Sequence, residues 1–580
     1  MRDAMLEPVK FWPEAERNHK ENVEEYFQNL LEDSAVDVEA NRETVRKYKQ
    51  QEEVIAGIDK KIKRFKLIRV LLIVAAVIGA ILFFISFGNF NGGDIGNGLL
   101  NLFIGIVLAG GSLTLLFLKI NPIIKDASAL REKEAAKAEE LMAQAYAQVA
   151  PLNALFDNTD TFRIMEATLP ELTFENSYTK KHEELLIKQH NFVDMGSSDT
   201  SVVDTIAGTF CGNPFLYYRH KVHVLGEQRY DGTLTISWTE TYLDSNGKMA
   251  TRTKTQTLTA SVFKPKPFYH YATSLGYGCQ AAPDLSFSRK AQHSERLSDR
   301  EVDKKVRSGE KELRKLAKKA LKENGTFQEM ADSEFDVLFG AVDRDNEVQF
   351  RVMYTPLGQR NTVSLLRHKE GYGDDFEFYK MKRYNVIQSE HAQQWKMDTA
   401  TSNYISYDVD EIHRKFADFN NTYFKSVYFD FAPLMCVPAY QDPPAYSMEP
   451  LEYYDSYCTS YEHEVLANAI GQGSFAHELS ETEAILKTVM VKKDKEGDVV
   501  DVTALSYSTE ERMDYVPVLG GDGKTHMVPV PWVEYMPLSK TTQIKARDMA
   551  LSERDFREKI DYSQSAPWAY VHGIYGKIID

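Results

Sequence analysis

The chain has 580 residues, 43% of them apolar and 27% charged, with a formal net charge of −16. That acidic excess excludes broad nucleic-acid binding by the whole chain, and the length allows several domains. Cys211, Cys279, Cys436 and Cys458 lie far apart with no CxxC pair, and no secretory signal opens the sequence. They are expected as reduced thiols in a cytosolic protein, with no metal site and no cofactor.

Residues 1–66 read as an N-terminal cytosolic helical segment. Val45, Tyr48, Ile55, Ile62 and Phe65 recur at three- and four-residue steps, interrupted by Glu52 and Asp59, as in a coiled-coil-like stripe. The unit at 67–120 holds two apolar runs, 70–87 and 99–120, joined by residues 88–98. Each run is long enough to cross a bilayer core of ~30 Å as a helix, which predicts a transmembrane hairpin. Lys60, Lys61, Lys63, Arg64, Lys66 and Arg69 precede the first run, Lys119 and Lys125 flank the end of the second, and the loop has no base. Positive charge stays on the cytoplasmic side, so both termini are expected in the cytosol of a two-span protein of the cell membrane. Ala75/Gly79, Ala76/Ala80 and Gly105/Ala109 are small residues four apart, suited to close helix packing. With few polar residues in the runs, a pore is not expected.

Residues 121–187 read as a helical stalk and connector. Asn121-Pro122 predicts a bend at the membrane surface. Ile123, Ala127, Leu130, Ala138, Leu141, Ala145 and Val149 then form a stripe with Glu134 interrupting it. Paired with the helix before the membrane, they would close a stalk of ~40 Å. Pro151 and Pro170 are expected to break the helix. Residues 188–288 alternate apolar and polar side chains, predicting an antiparallel β module. Its clearest strand pair is 233–238 with 255–260, its turn is at Asn246-Gly247, and Pro265 and Pro267 are expected to end the ladder.

Residues 289–325 form a basic amphipathic helix with a stripe of Val302, Val306, Leu313, Leu316, Ala320 and Leu321, weakened by Gly309. Packing on the neighbouring sheet is expected, with anionic headgroups as the alternative partner along 289–322; nucleic acid is not favoured. An α+β module at 326–435 follows, reading as helix, step, helix and then strands at 376–381 and 384–388. A Pro/Tyr-rich linker spans 436–461, where Pro443 and Pro444 suit either a docking segment or a rigid loop. The second β module covers 462–548, with turns at 493–498 and 520–524. A C-terminal helix at 551–560 and an aromatic tail fill 549–580. Residues 401–580 hold 29 acids against 16 bases.

The hairpin, together with an acid-to-arginine helix and a Thr-Pro step (Asp345 through Arg351 to Thr355-Pro356), resembles an uncharacterised family of bacterial two-span membrane proteins. The resemblance covers the hairpin and the neighbourhood of this segment. It implies the membrane topology and an α+β cytosolic domain, and brings no activity and no site residues.

Candidates for chemistry are few. Asp343, Asp345, Asp374, Asp375 and Glu377 with Lys380 could gather a divalent metal for phosphodiester hydrolysis. Glu377 and Lys380, three apart in a strand, would face opposite ways. Gly523-Lys524-Thr525 lacks the earlier glycine of a phosphate loop, since Val518 stands there, and strand follows; it reads as a hairpin turn. His220 and His223, His463-Glu464, His477-Glu478 and Ser389-Glu390-His391 fit no metal or relay spacing and are expected to be structural. The expectation is an α+β membrane protein: a transmembrane helical hairpin, a helical stalk and two antiparallel β-rich cytosolic modules. It would act as a scaffold or interaction protein without catalysis, with protein partners or self-association. The alternative is a membrane-tethered metal-dependent hydrolase or nuclease using the 343–377 carboxylates.

Overall fold

The structure, a computed structural model, describes residues 5–91, 95–175, 178–192, 197–243, 248–323, 325–393, 398–444, 458–549, 556 and 566–579. It divides into two units. One comprises Glu25–Phe156 with Thr401–Phe419; the other comprises Met1–Glu24, Asp157–Ala400 and Asn420–Asp580. Helices α1 (Pro8–Ser34) and α11 (Val409–Met435) each contribute residues to both.

The helical unit is built on α2 (Val38–Asn91), α3 (Ile95–Leu115) and α4 (Asn121–Leu155). Two of its helices are long and apolar enough to cross a membrane. Their apolar side chains are largely exposed, Phe84 by 72% and Phe103 by 69%. The expected 88–98 loop is shorter than read, since α2 runs to Asn91 and α3 starts at Ile95, with 92–94 outside the described residues. No break marks Pro122 either. A π turn, Leu116–Ile120, leads straight into α4 with the proline in its first turn. The widened turn absorbs the missing N–H and relieves the clash of the ring with the preceding carbonyl. Pro151 likewise sits inside α4, in its final turns, rather than ending it.

The small residues set how closely α2 and α3 approach. A Cβ on Gly79 would meet the Ala109 backbone nitrogen at 2.5 Å, and one on Gly105 would meet the Phe83 nitrogen at 2.8 Å. Lower down, α2 and α4 pair along the predicted stripe, with Ile124 rather than Ile123 inward and Leu130 exposed. Two residues that interrupt the pattern are cross-links. Arg131 Nε donates to Asp59 at 2.9 Å, and Gln51 Nε2 donates to the Glu134 carbonyl at 3.2 Å. At the base, buried Asn41 ties three elements. Its amide donates to the Tyr407 and Ala145 carbonyls, and its oxygen accepts from Val409 N at 3.0 Å.

The other unit holds two antiparallel sheets. The first has seven strands in the order β1-β2-β3-β4-β7-β6-β5: β1 Leu172–Glu175, β2 Thr200–Phe210, β3 Asn213–Leu243, β4 Met249–Gly278, β5 Ser286–Arg289, β6 Phe376–Met381 and β7 Tyr384–Ser389. Strands from the 188–288 and 326–435 segments thus share one sheet. The second runs β11-β12-β10-β9-β8: β8 Ile485–Asp494, β9 Gly497–Leu519, β10 Thr525–Asp548, β11 Trp568–Val571 and β12 Ile574–Ile579. The aromatic tail is therefore strand, while the expected 551–560 helix lies outside the described residues save Phe556. Helix α12 (Ser460–Ile470) packs Leu466 and Ala467 into the second sheet, among Val500, Val502 and Ile544. Its Tyr461 and Val465 pack into the first, among Leu216, Tyr218 and Tyr384.

Strands β3 and β4, of 31 and 30 residues, form a hairpin arm of roughly 100 Å at the strand rise. Strands β9 and β10, of 23 and 24 residues, form a second. The expected pair 233–238 with 255–260 is found, with Thr233 opposite Thr259. Pro265 and Pro267 do not end this ladder: they pair with Glu227 and Leu225, and the arm continues past them. Strand β7 reaches only Leu275–Gly278 of β4, so the prolines stand where the outer edge is open. Prolines two apart point their missing N–H the same way, and toward an open edge no ladder bond is lost. The second arm repeats the device. Pro529, Pro531 and Pro537 of β10 and Pro517 of β9 all fall in the same alternate class of cross-strand pair.

Replacing Gly79 by Leu is expected to force α2 and α3 apart and to cost about 1–3 kcal/mol, read as a lower melting temperature in detergent. A Cβ on Gly110 meets nothing within 4 Å, so Gly110→Leu should leave the melting temperature unchanged.

Candidate interaction surface

The second arm carries two apolar sets in alternation. Val516, Val518, Val528 and Val530 turn to one face; Met513, Tyr515, Pro517, Leu519, Met527, Pro529 and Pro531 turn to the other. Alternate residues of a strand face opposite ways, and directly paired residues share a face. The valine face is buried against Leu258 and Ala260 of the first arm, with Tyr230, Leu234, Ile236 and Val262 packed around them. Gly232 permits this approach, because a Cβ there would strike the Pro529 carbonyl. Lys264 clasps the arms from the side. Its ammonium lies 2.7 Å from Asp514 and 4.2 Å above the Trp532 ring. The turn at 520–524 is the hairpin turn its sequence predicts, closed by Gly520 N to Lys524 O at 2.8 Å. Gly521 N donates across to Gln256 at 2.7 Å.

The other face is open. Met513 is 49% exposed, Tyr515 61%, Leu519 70% and Met527 51%. A contiguous exposed patch of Met, Tyr, Leu and Pro has the composition of a protein-binding surface. The signal was present in the sequence as a run apolar at both odd and even positions, which marks a strand covered on both sides.

The suspected carboxylates are dispersed. Asp345 accepts from Ser286 N at 2.7 Å and Asp343 from Ser288 N at 2.9 Å. The Asp-x-Asp spacing therefore matches the free N–H spacing of edge strand β5, and the two carboxylates stand in for a missing neighbour strand. Arg344 between them points inward, to Asp336 at 2.7 Å and Glu347 at 2.8 Å. Lys380 joins Asp343 and Asp345 around a hollow of about 420 Å³. Burial pulls its ammonium down to about 8, and it donates to the Ala281 carbonyl at 3.0 Å. The remaining three lie elsewhere. Asp374 forms a fully buried ion pair with Arg289, Asp375 binds His391, and Glu377 takes the Tyr379 hydroxyl. The six bases from Lys60 to Arg69 are all exposed on α2, just ahead of its apolar stretch.

His391 is held between acids. Its Nδ1 lies 2.6 Å from Asp375, its Nε2 lies 3.3 Å from Asp430, and Tyr372 stacks on the ring at 3.9 Å. Burial pushes the imidazole down, but Asp430 and Asp375 outweigh it and leave the pKa raised. A cavity of about 580 Å³ opens beside β2 and α12, lined by Asp204, Arg219, Tyr271, Asn468, Gln472 and His572. His572 sits 3.3 Å from Asp204, whose carboxyl is raised by burial, and Arg219 lies 4.9 Å above the Tyr271 ring. Phe162, Val203, Ile206 and Val465 line it beside these polar groups. Cys458, His463 and Asp498 form the one group of metal-ligand types that gathers among the described residues. No family model, no curated protein and no solved structure matches the chain.

Asp343→Ala with Asp345→Ala should leave two edge N–H groups unpaired and lower stability by about 1–2 kcal/mol, measured by urea unfolding, without loss of the fold. His19, His190 and His220 are each drawn down from 6.5 to about 4, first by burial. They are neutral when folded and protonate on unfolding, so their contribution is present at neutral pH and lost as pH falls from about 6.5 towards 4. His391 acts in the opposite sense, its contribution fading as pH rises through its raised value. The expected outcome is acid destabilisation, of which His19→Gln removes about 2 kcal/mol between pH 7 and pH 5, again by urea unfolding.

Proposed function

We propose that this is a two-span, membrane-anchored interaction protein whose second β arm presents a face for a protein partner in the cytosol. The carrying observation is that β9 and β10 are apolar on both faces, one covered by the first arm and the other exposed. Two helices long and apolar enough to span, with exposed apolar flanks, support the anchor. The six bases from Lys60 to Arg69, set against a loop without any, support cytosolic termini. The outer side of helix α7 (Asp299–Lys322) exposes Arg300, Lys304, Arg307 and Lys311, while Val302 and Leu313 are buried. That supports anionic headgroups as a second contact. A role without catalysis is supported by the carboxylates from Asp343 to Glu377, which are engaged by backbone N–H groups, Arg289, His391 and Tyr379.

The test uses the full-length protein in its native membrane with a photo-crosslinking residue at position 515. A discrete protein adduct is expected, lost in Leu519→Glu and in Met527→Glu and kept in Asp375→Ala with Glu377→Ala. Absence of an adduct, or indifference to the two glutamate variants, overturns the reading. Protease added outside intact cells should spare the arms; cleavage there overturns the orientation.

A further inference from the structure

We propose that Cys458, His463 and Asp498 form a binding site for one divalent transition-metal ion of zinc's class, which fastens α12 to the root of the second arm. Helix α12 begins with a capping box: the Thr459 side chain accepts from Glu462 N, and Glu462 accepts from Thr459 N. A capping box fixes how the chain enters the helix and brings the residue before the cap against the fourth helical residue, a contact usually made by two apolar side chains. Here those two positions are Cys458 and His463, both metal-ligand types.

Asp498, the second residue of β9, completes the set from the other element. Its Oδ2 accepts from Cys458 N at 3.2 Å and lies 3.2 Å from His463 Nε2. The sulfur, ring nitrogen and carboxylate oxygen all lie within 4.8 Å of one another. Two ligands of one tetrahedral zinc, each bonded at about 2.0–2.1 Å, are about 3.3 Å apart, so the imidazole and carboxylate already hold that spacing. Cys458 is 1% exposed, His463 3% and Asp498 0%. Thiolate sulfur, imidazole nitrogen and carboxylate oxygen are all donors that zinc takes, and three protein ligands leave a fourth position open.

The Cys458 sulfur lies within reach of both partners of the Asp498–His463 ion pair, at the border of the apolar core around Leu466. Glu462 Oε1 is buried without a hydrogen-bond partner among the described residues. Four-coordinate zinc takes one ligand beyond these three, which water or a carboxylate supplies. On binding, the thiol proton leaves to solvent as sulfur bonds the metal, and the imidazole carries its proton on Nδ1 so that Nε2 can donate its lone pair. The inference stands independently of whether the arm binds a partner.

The full-length protein in detergent, dialysed against Co²⁺ and desalted, tests it. One cobalt per chain is expected, with thiolate-to-cobalt charge-transfer absorption and the strong visible bands of a tetrahedral site. Cys458→Ser should abolish the charge-transfer band and weaken cobalt retention by more than about tenfold. Asp498→Asn, which keeps an acceptor for Cys458 N, should weaken retention while leaving the fold. Cys436→Ser, at another buried cysteine, should behave as wild type. Wild-type protein that retains no cobalt, or a cobalt spectrum unchanged in Cys458→Ser, overturns the inference. Should the variants fail to fold, the wild-type stoichiometry and charge-transfer band decide alone.

Discussion

An unpaired backbone N–H on an open strand edge invites another chain to pair with it, and this protein carries unusually long edges. Each of its two arms exposes both outer edges for most of their length. Prolines at 265, 267, 517, 529, 531 and 537 remove donors from those edges without breaking the inner ladders. The short edge strand β5 is covered differently, by Asp343 and Asp345. Beside the irregularity in β2, the N–H of Val202 donates to Glu464 of α12 at 2.7 Å. Side chains that look like chemistry in the sequence are largely employed in satisfying the backbone.

With the edges made safe, the faces can be used. The valine face of β9 and β10 joins the two arms, and α12 joins the two sheets at their roots through Leu466 on one side and Val465 on the other. Those two contacts, far apart along the strands, hold the second arm both near its root and towards its turn. A rigid arm holds its remaining apolar face without collapsing onto it, and preorganised surfaces bind with less entropic loss.

Some of this was legible from residues alone. Apolar runs of span length mark α2 and α3, and Gly79 and Gly105 mark their closest approach. The strands at 376–381 and 384–388 and the turn at 520–524 follow from alternation and glycine chemistry. Apart from the prolines inside α4, what differed depended on a distant neighbour. Pro267 ends a strand only if that edge is paired, and nothing local says it is open. Asp59 and Glu134 look like faults in a stripe until Arg131 and Gln51 are placed opposite them. Cys458 and His463 are close in sequence, yet Asp498 arrives from a separate hairpin, so no spacing rule could assemble the three.

The contact between the arms also imposes an order of events. Leu258 and Ala260 are synthesised long before Val528 and Val530, and β12, which lies between β10 and β11, emerges later still. The first arm must therefore wait on the ribosome with its oily side bare. A holdase chaperone, or slow and sheltered emergence, is what such an interval demands.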